Sequence, residues 1–136
     1  MSRITIRNRS LLLLLATLLL WAGCGREYDQ RDLAADSPQA TQVREMIRTL
    51  RQAGGDGVDE FMARHGAEGL SAARQAALRA TLLRIARAET VELKRLDSFG
   101  KNVCRASLRL GPAGRMESLF ALLIVKEGQL RWAGPN

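Results

Sequence analysis

The chain has 136 residues, 46% of them hydrophobic but only 4% aromatic, and its 21 Lys and Arg against 14 Asp and Glu give a formal net charge of +7. That length suits one small domain with a modest core, and so few rings leave no aromatic platform on which sugars could stack. With one histidine and two cysteines, none of them at ligand spacing to another, neither a zinc site nor any other cofactor is expected.

Arg3, Arg7 and Arg9 are followed by an apolar run from Leu11 to Leu20 and then by Trp21-Ala22-Gly23-Cys24. A basic segment, a short apolar segment and small residues before a cut are the pattern of a secretory signal. The 13 uncharged residues from Leu11 to Gly23 fall short of the roughly 20 needed to cross a bilayer, so residues 1–23 are expected to be a cleaved leader. Its end resembles the lipobox of bacterial lipoproteins, which runs Leu, a small residue, Gly or Ala, then Cys. Ala22, Gly23 and Cys24 match their positions, and Trp21 stands where the family prefers Leu. The resemblance implies a mature chain beginning at Cys24 with acyl chains such as palmitate on its thiol and amine, a durable membrane anchor. It further implies, through Gly25 in place of the acidic residue tied to inner-membrane retention in enteric bacteria, that sorting to the outer membrane is permitted. The other readings of Cys24 are a disulfide in an ordinary secreted protein and an uncleaved signal anchor.

Without 23 leader residues the 136 become 113, and the leader takes three of the 21 basic residues and none of the 14 acidic ones, leaving +4. The arginines are then a solvated, mildly basic surface, with attraction to anionic lipid, lipopolysaccharide or cell-wall polymers as the sharper reading. No nucleic-acid partner is expected outside the cytoplasm. A lipidated Cys24 leaves Cys104 without a partner in the chain, either as a small buried hydrophobe or as a thiol that pairs with another molecule or reacts. Residues 24–36, with Arg26, Glu27, Asp29, Arg31, Asp32 and Asp36, are too polar to bury much surface and are expected to form a flexible tether. Residues 37–136 are then the single domain.

Ser37 and Pro38 carry an N-cap and a first helical position, and Val43, Met46, Ile47 and Leu50 recur at helical spacing until Gly54-Gly55. A short second helix is expected from about Gly57 to His65, capped by Asp56, with Val58, Phe61 and Met62 inward. Ser71 caps a third, about Ala72 to Ala88, with Leu78, Leu82 and Ile85 on one face and Arg74, Arg79, Arg84 and Arg87 mainly away from it. Beyond Glu89 the period changes to two. Val91 and Leu93 alternate in Thr90–Leu96, and Cys104, Ala106, Leu108 and Leu110 alternate with Val103, Arg105, Ser107 and Arg109. The turn Gly111-Pro112-Ala113-Gly114 leads into about Met116 to Lys126, whose unbroken run from Leu119 to Val125 predicts a central strand covered on both faces. Glu127-Gly128 turns the chain into a last strand, Gln129 to Ala133, with Leu130 and Trp132 on one side.

The fold class read from this order is α+β, with three N-terminal helices packed on a four-stranded antiparallel sheet. Ser37-Pro38, Val58 to His65, Leu119 to Val125, Lys126-Glu127-Gly128 and Leu130-Arg131-Trp132 resemble, as a series, the NTF2-like or cystatin-like superfamily of cone-shaped domains over roughly residues 37–136. The resemblance implies a pocket between curved sheet and helices, for which Leu108, Leu110, Phe120, Leu122 and Ile124 are the candidate lining. A plain helical hairpin on a four-stranded meander satisfies the same pattern.

Catalytic groups do not assemble. His65 sits at a helix end, where a cation suits the dipole; Asp97 and Glu117 lie near turns, where carboxylates are solvated, and no base pairs with either. Ser71, Ser98, Ser107 and Ser118 stand outside any nucleophile elbow, and Gly54-Gly55-Asp56-Gly57 lacks the Lys-Ser or Lys-Thr of a phosphate loop. Phe99, placed in a Ser98-Phe99-Gly100 turn, is expected to fold back onto the core, with a partner contact as the sharper alternative. The function expected is that of a membrane-anchored, non-enzymatic lipoprotein facing the periplasm, a binding or assembly module with an envelope protein partner. The alternatives are a carrier, sensor or weak isomerase for a small apolar ligand, and a structural envelope protein binding anionic polymers.

Overall fold

Ser37 and Pro38 start the first helix as their order requires: the Ser37 hydroxyl accepts from the Ala40 N–H at 3.1 Å, and Pro38 has no N–H to leave unpaired. In the computed structural model, which describes residues 30–112 and 114–136, this helix α1 spans Pro38–Ala53 and buries Val43, Met46, Ile47 and Leu50. Gly54, at φ 71°, ends it in a conformation that a side chain disfavours. A 3-10 turn over Gly55–Gly57 leads into α2, Val58–His65. Asp56 lies within that turn and does not cap α2, because the cap position falls to Gly57, which has no side chain to offer. Ser71 Oγ accepts from the Arg74 N–H at 3.2 Å and opens α3, Ala72–Arg87, which buries Leu78, Thr81, Leu82 and Ile85.

The sheet has five strands, β1 Gln30–Asp32, β2 Thr90–Phe99, β3 Val103–Gly111, β4 Glu117–Lys126 and β5 Gln129–Pro135, all antiparallel and in sequence order. The expectation of three N-terminal helices on four strands is therefore corrected in two ways: there is a fifth strand, and it precedes the helices. β1 carries no hydrophobic alternation to announce it. Its register, Gln30 opposite Phe99 and Asp32 opposite Asp97, is held by backbone pairing along the β2 edge. Leu33 then donates its N–H to the Leu96 carbonyl at 2.8 Å and packs against the core. Residues 30–33, read from the sequence as tether, thus belong to the domain. The expected leader, Cys24 and the rest of the tether up to residue 29 lie outside the described residues.

Helices cover one face of the sheet. β2 runs on through Phe99, so the turn into β3 is Gly100-Lys101-Asn102 rather than one centred on Phe99. Alternation in β3 is as read, with Cys104, Ala106, Leu108 and Leu110 buried. β4 differs: it is fourth of five, beside the edge, with β3 at the centre. Leu119, Ala121 and Leu123 are buried, whereas Phe120 and Ile124 are 44% and 37% exposed. An unbroken apolar run implies two covered faces, but every helix among the described residues lies on the same side. The core centres on Trp132 of β5, fully buried with its ring 6.5 Å from that of Phe61 in α2, and α3 packs mainly against β5 and α1.

Adjacent residues of β4 should therefore differ sharply in cost. Leu123→Ala is expected to lower stability by about 3 kcal/mol through cavity formation, and Ile124→Ala by under about 1 kcal/mol because its side chain is already partly in water. Urea unfolding midpoints measure both, and similar losses would contradict one-sided cover.

Candidate functional site

Because α3 rests toward β5, the helix-side face of β2 is left half-covered. Val91 and Leu93 alternate along it and, with Ile47 of α1, make the apolar floor of a groove of about 590 Å³. Arg44, Arg48 and Arg51 stand on its α1 wall, spaced by four and then three residues so that they share a helix face. A second concavity of about 360 Å³ continues it toward Leu33 and Ala34, sharing Arg44 and Leu93. A cavity of a few hundred Å³ with an apolar floor and few polar groups is the usual form of a small-molecule site.

Two of the three arginines have structural partners. Arg51 Nη1 donates to the Ile85 and Ala88 carbonyls at 3.1 and 2.7 Å, and Nη2 to the Glu89 carbonyl at 2.8 Å. Ile85 lies in the last turn of α3, Ala88 is its cap and Glu89 follows it, so the guanidinium sits at the C-terminal end of the helix, where a cation is favoured by the dipole. Arg44 donates to the Ala35 carbonyl. Arg48 pairs with Glu45 on the same helix, both more than half exposed, an ion pair of little energetic weight. The groove thus offers three arginines at its edge over an apolar floor, with Gln52 and the acidic Glu92 also in its lining, a combination suited to an amphiphile. It holds no nucleophile with a base beside it.

The opposite face of the sheet holds a second cluster. Asp97, expected near a turn and in solvent, is inside β2 and fully buried. Arg95 Nε donates to its Oδ1 at 2.6 Å and Arg105 Nη2 to its Oδ2 at 3.3 Å, which satisfies the desolvation cost of the carboxylate. The Arg105 guanidinium carbon lies 5.2 Å from the Phe99 ring centroid and 5.7 Å from that of Phe120, within cation–π range of both. Arg105 Nε is buried without a hydrogen-bond partner.

The five candidate lining residues do not gather in one cavity. Leu108 and Leu110 are buried on the helix side, whereas Phe120, Leu122 and Ile124 point to the other face. Glu117 is exposed and bound to Arg84 at 2.9 Å, a surface ion pair. Cys104 is buried, and desolvation raises its thiol pKa, which disfavours the reactive thiolate. Among the described residues no three His, Cys, Asp or Glu converge on a metal position, and no helix is long and apolar enough to cross a membrane.

Sequence reasoning passed over the arginine wall and the Asp97–Arg105 pair. The first had a signal in the spacing of Arg44, Arg48 and Arg51 beside Ile47. The second follows from the hairpin: a three-residue turn at Gly100-Lys101-Asn102 sets Phe99 opposite Val103 and hence Asp97 opposite Arg105. No protein-family model, curated protein or solved structure matches the chain.

His65, expected to be favoured as a cation at the end of α2, has its pKa lowered instead. Burial is the main cause, followed by the positive charges of Arg131 and Arg64; its ring lies 4.7 Å from that of Phe61. The unfolded chain therefore takes up this proton near pH 6.5 and the folded chain only at lower pH, so stability falls on acidification through that window. His65→Asn is expected to lack this part of the acid loss. Urea midpoints measured on either side of pH 6.5 test it, and identical pH slopes for the two proteins would contradict the assignment.

Proposed function

We propose that the chain is a membrane-anchored exported lipoprotein whose small α+β domain acts as a non-enzymatic binding or assembly module in the bacterial envelope. The observation that carries this reading is the order Arg3, Arg7, Arg9, the apolar run from Leu11 to Leu20, then Ala22-Gly23-Cys24. A lipid on Cys24 places the domain on the periplasmic side of the cell membrane or outer membrane, with several acyl chains supplying durable anchoring where one would be marginal.

Metabolic labelling with a clickable fatty acid is expected to mark the wild-type protein and leave Cys24→Ala unmarked, with the variant lost from the membrane fraction. Equal labelling of the two, or none of either, would contradict the anchor.

The groove favours a second reading, in which the domain carries a small anionic amphiphile, its apolar chain over Val91 and Leu93 and its charged end at Arg48. Native mass spectrometry of protein taken from the periplasmic face is then expected to show an adduct that disappears on unfolding and is absent from Val91→Glu. A bare mass in both proteins would leave the groove as a surface feature and overturn the carrier reading.

A further inference from the structure

The end of the sheet at which the chain enters is also the end at which its uncovered face is most apolar. β1 begins with Gln30 opposite Phe99, and from Phe99 the register continues across the strands through Val103 to Ile124. Directly opposed residues share a face, so Phe99, Val103 and Ile124 form one row on the side away from the helices. Leu122 and Phe120 stand behind it along β4. Ile124 and Phe120 are the only exposed large hydrophobic residues among those described, and both lie in this patch. By contrast, the outer surfaces of the helices carry ion pairs such as Arg79–Asp59 and Arg64–Glu60.

Charge on this face has a consistent arrangement. Its most central carboxylate, Asp97, is buried beneath Arg95 and Arg105. Asp32 and Glu92, at the margin, are engaged by Arg95 at 3.7 Å and Lys94 at 3.0 Å. Lys101 in the adjoining turn and Arg109 on β3 are exposed and have no carboxylate partner among the described residues. What the face presents outward is apolar and aromatic surface, with Lys101 and Arg109 exposed at its rim together with Glu127 of the β4–β5 turn and Glu92, which stands opposite Arg109. Arg105 lies between the Phe99 and Phe120 rings, with Nη2 bonded to the buried Asp97 carboxylate and Nε buried.

Chain length selects what this surface meets. Cys24 and Gln30 are six residues apart in the sequence, and at about 3.5 Å per residue even a fully extended path spans only about 20 Å. That is roughly the width of a five-stranded sheet at about 4.8 Å per strand. A link of that length keeps Gln30 within about 20 Å of the surface in which Cys24 is embedded, so the part of the domain held nearest that surface is the Gln30–Phe99 end. We propose that the helix-free face of the sheet, centred on Phe99, Phe120 and Ile124 with Arg105 between the rings, rests on the anionic bilayer surface in which Cys24 is anchored. This orientation rests on the acylation of Cys24 proposed above and adds to it which face of the domain is covered, leaving the α1–β2 groove turned toward the periplasm.

The test uses the full chain, expressed with its leader, extracted from membranes and reconstituted into phosphatidylethanolamine–phosphatidylglycerol vesicles. Environment-sensitive labels are placed in separate proteins at Ile124→Cys, at Ser118→Cys on the same face, and at Ala63→Cys on the exposed side of α2; Ser118→Cys serves if the Ile124 variant fails to fold. The acyl group on Cys24 is read by mass in every sample. Labels at 124 and 118 are expected to become at least about threefold less accessible to acrylamide in vesicles than in detergent and to be quenched by spin-labelled lipid, with the label at 63 unchanged. Equal accessibility at all three positions with Cys24 acylated would overturn the orientation alone. Protection at 124 and 118 that fades as protein is diluted in the bilayer would assign the face to a second copy and overturn it likewise. An unacylated Cys24 would instead remove the anchoring reading, and this orientation with it.

Discussion

Trp132 fixes which part of the sheet the helices can cover. It is fully buried in β5, an edge strand by position, and the helix layer has to come to it: Phe61 of α2 faces its ring, α3 packs along β5, and the chain after α2 bonds back to it, with the Ala67 N–H donating to the Trp132 carbonyl at 2.8 Å. Gly66 pairs with Trp132 as an isolated bridge, and a Cβ there would meet the Met62 carbonyl oxygen at 2.5 Å, so the path by which the chain leaves α2 depends on glycine. Burying one large ring at the edge draws three helices toward that edge. The opposite side of the same layer is then too short to reach over β2.

The groove and the bare face both follow from this imbalance. Where the layer falls short, Val91 and Leu93 remain half-covered beneath α1, and the guanidinium of Arg51, bonded to three carbonyls at the end of α3, ties the two helices together along the rim. With every helix committed to one side, the other face must be tolerable to water by its own composition. It manages this with charge: Asp97 is sealed by two guanidinium groups, and Arg105 covers parts of the Phe99 and Phe120 rings. Phe120 and Ile124 exceed what that arrangement shields. The surplus is what distinguishes this surface from an ordinary solvated sheet.

Much of the fold was legible because local signals agreed with tertiary need. Ser37-Pro38, Gly54 and Ser71 mark helix ends by capping chemistry that acts within a few residues, and the alternation from Cys104 to Leu110 is a property of one strand with one wet face. β1 was not legible: Gln30-Arg31-Asp32 has no alternation, and only the open edge of β2 makes it a strand. β4 misled for the opposite reason. Its run from Leu119 to Val125 follows the rule that apolar residues seek cover, yet Phe120 and Ile124 lie on a face that no element among the described residues covers. The candidate site suffered from the same reading, since placing Phe120, Leu122 and Ile124 with Leu108 and Leu110 ignored the alternation that sends them to opposite sides. Asp97 was misplaced because a ten-residue β2 was read as ending before it.

The proposed anchoring requires Cys24 to be the first residue of the mature chain and the point at which it is held to a bilayer. The most direct measurement is the mass and sequence of the N-terminal peptide released from protein extracted from the membrane fraction. The account predicts a peptide that begins at Cys24 and carries a diacylglyceryl group on the thiol and a further acyl chain on the amine. A peptide that retains residues before Cys24, or one whose cysteine carries no lipid, would contradict it.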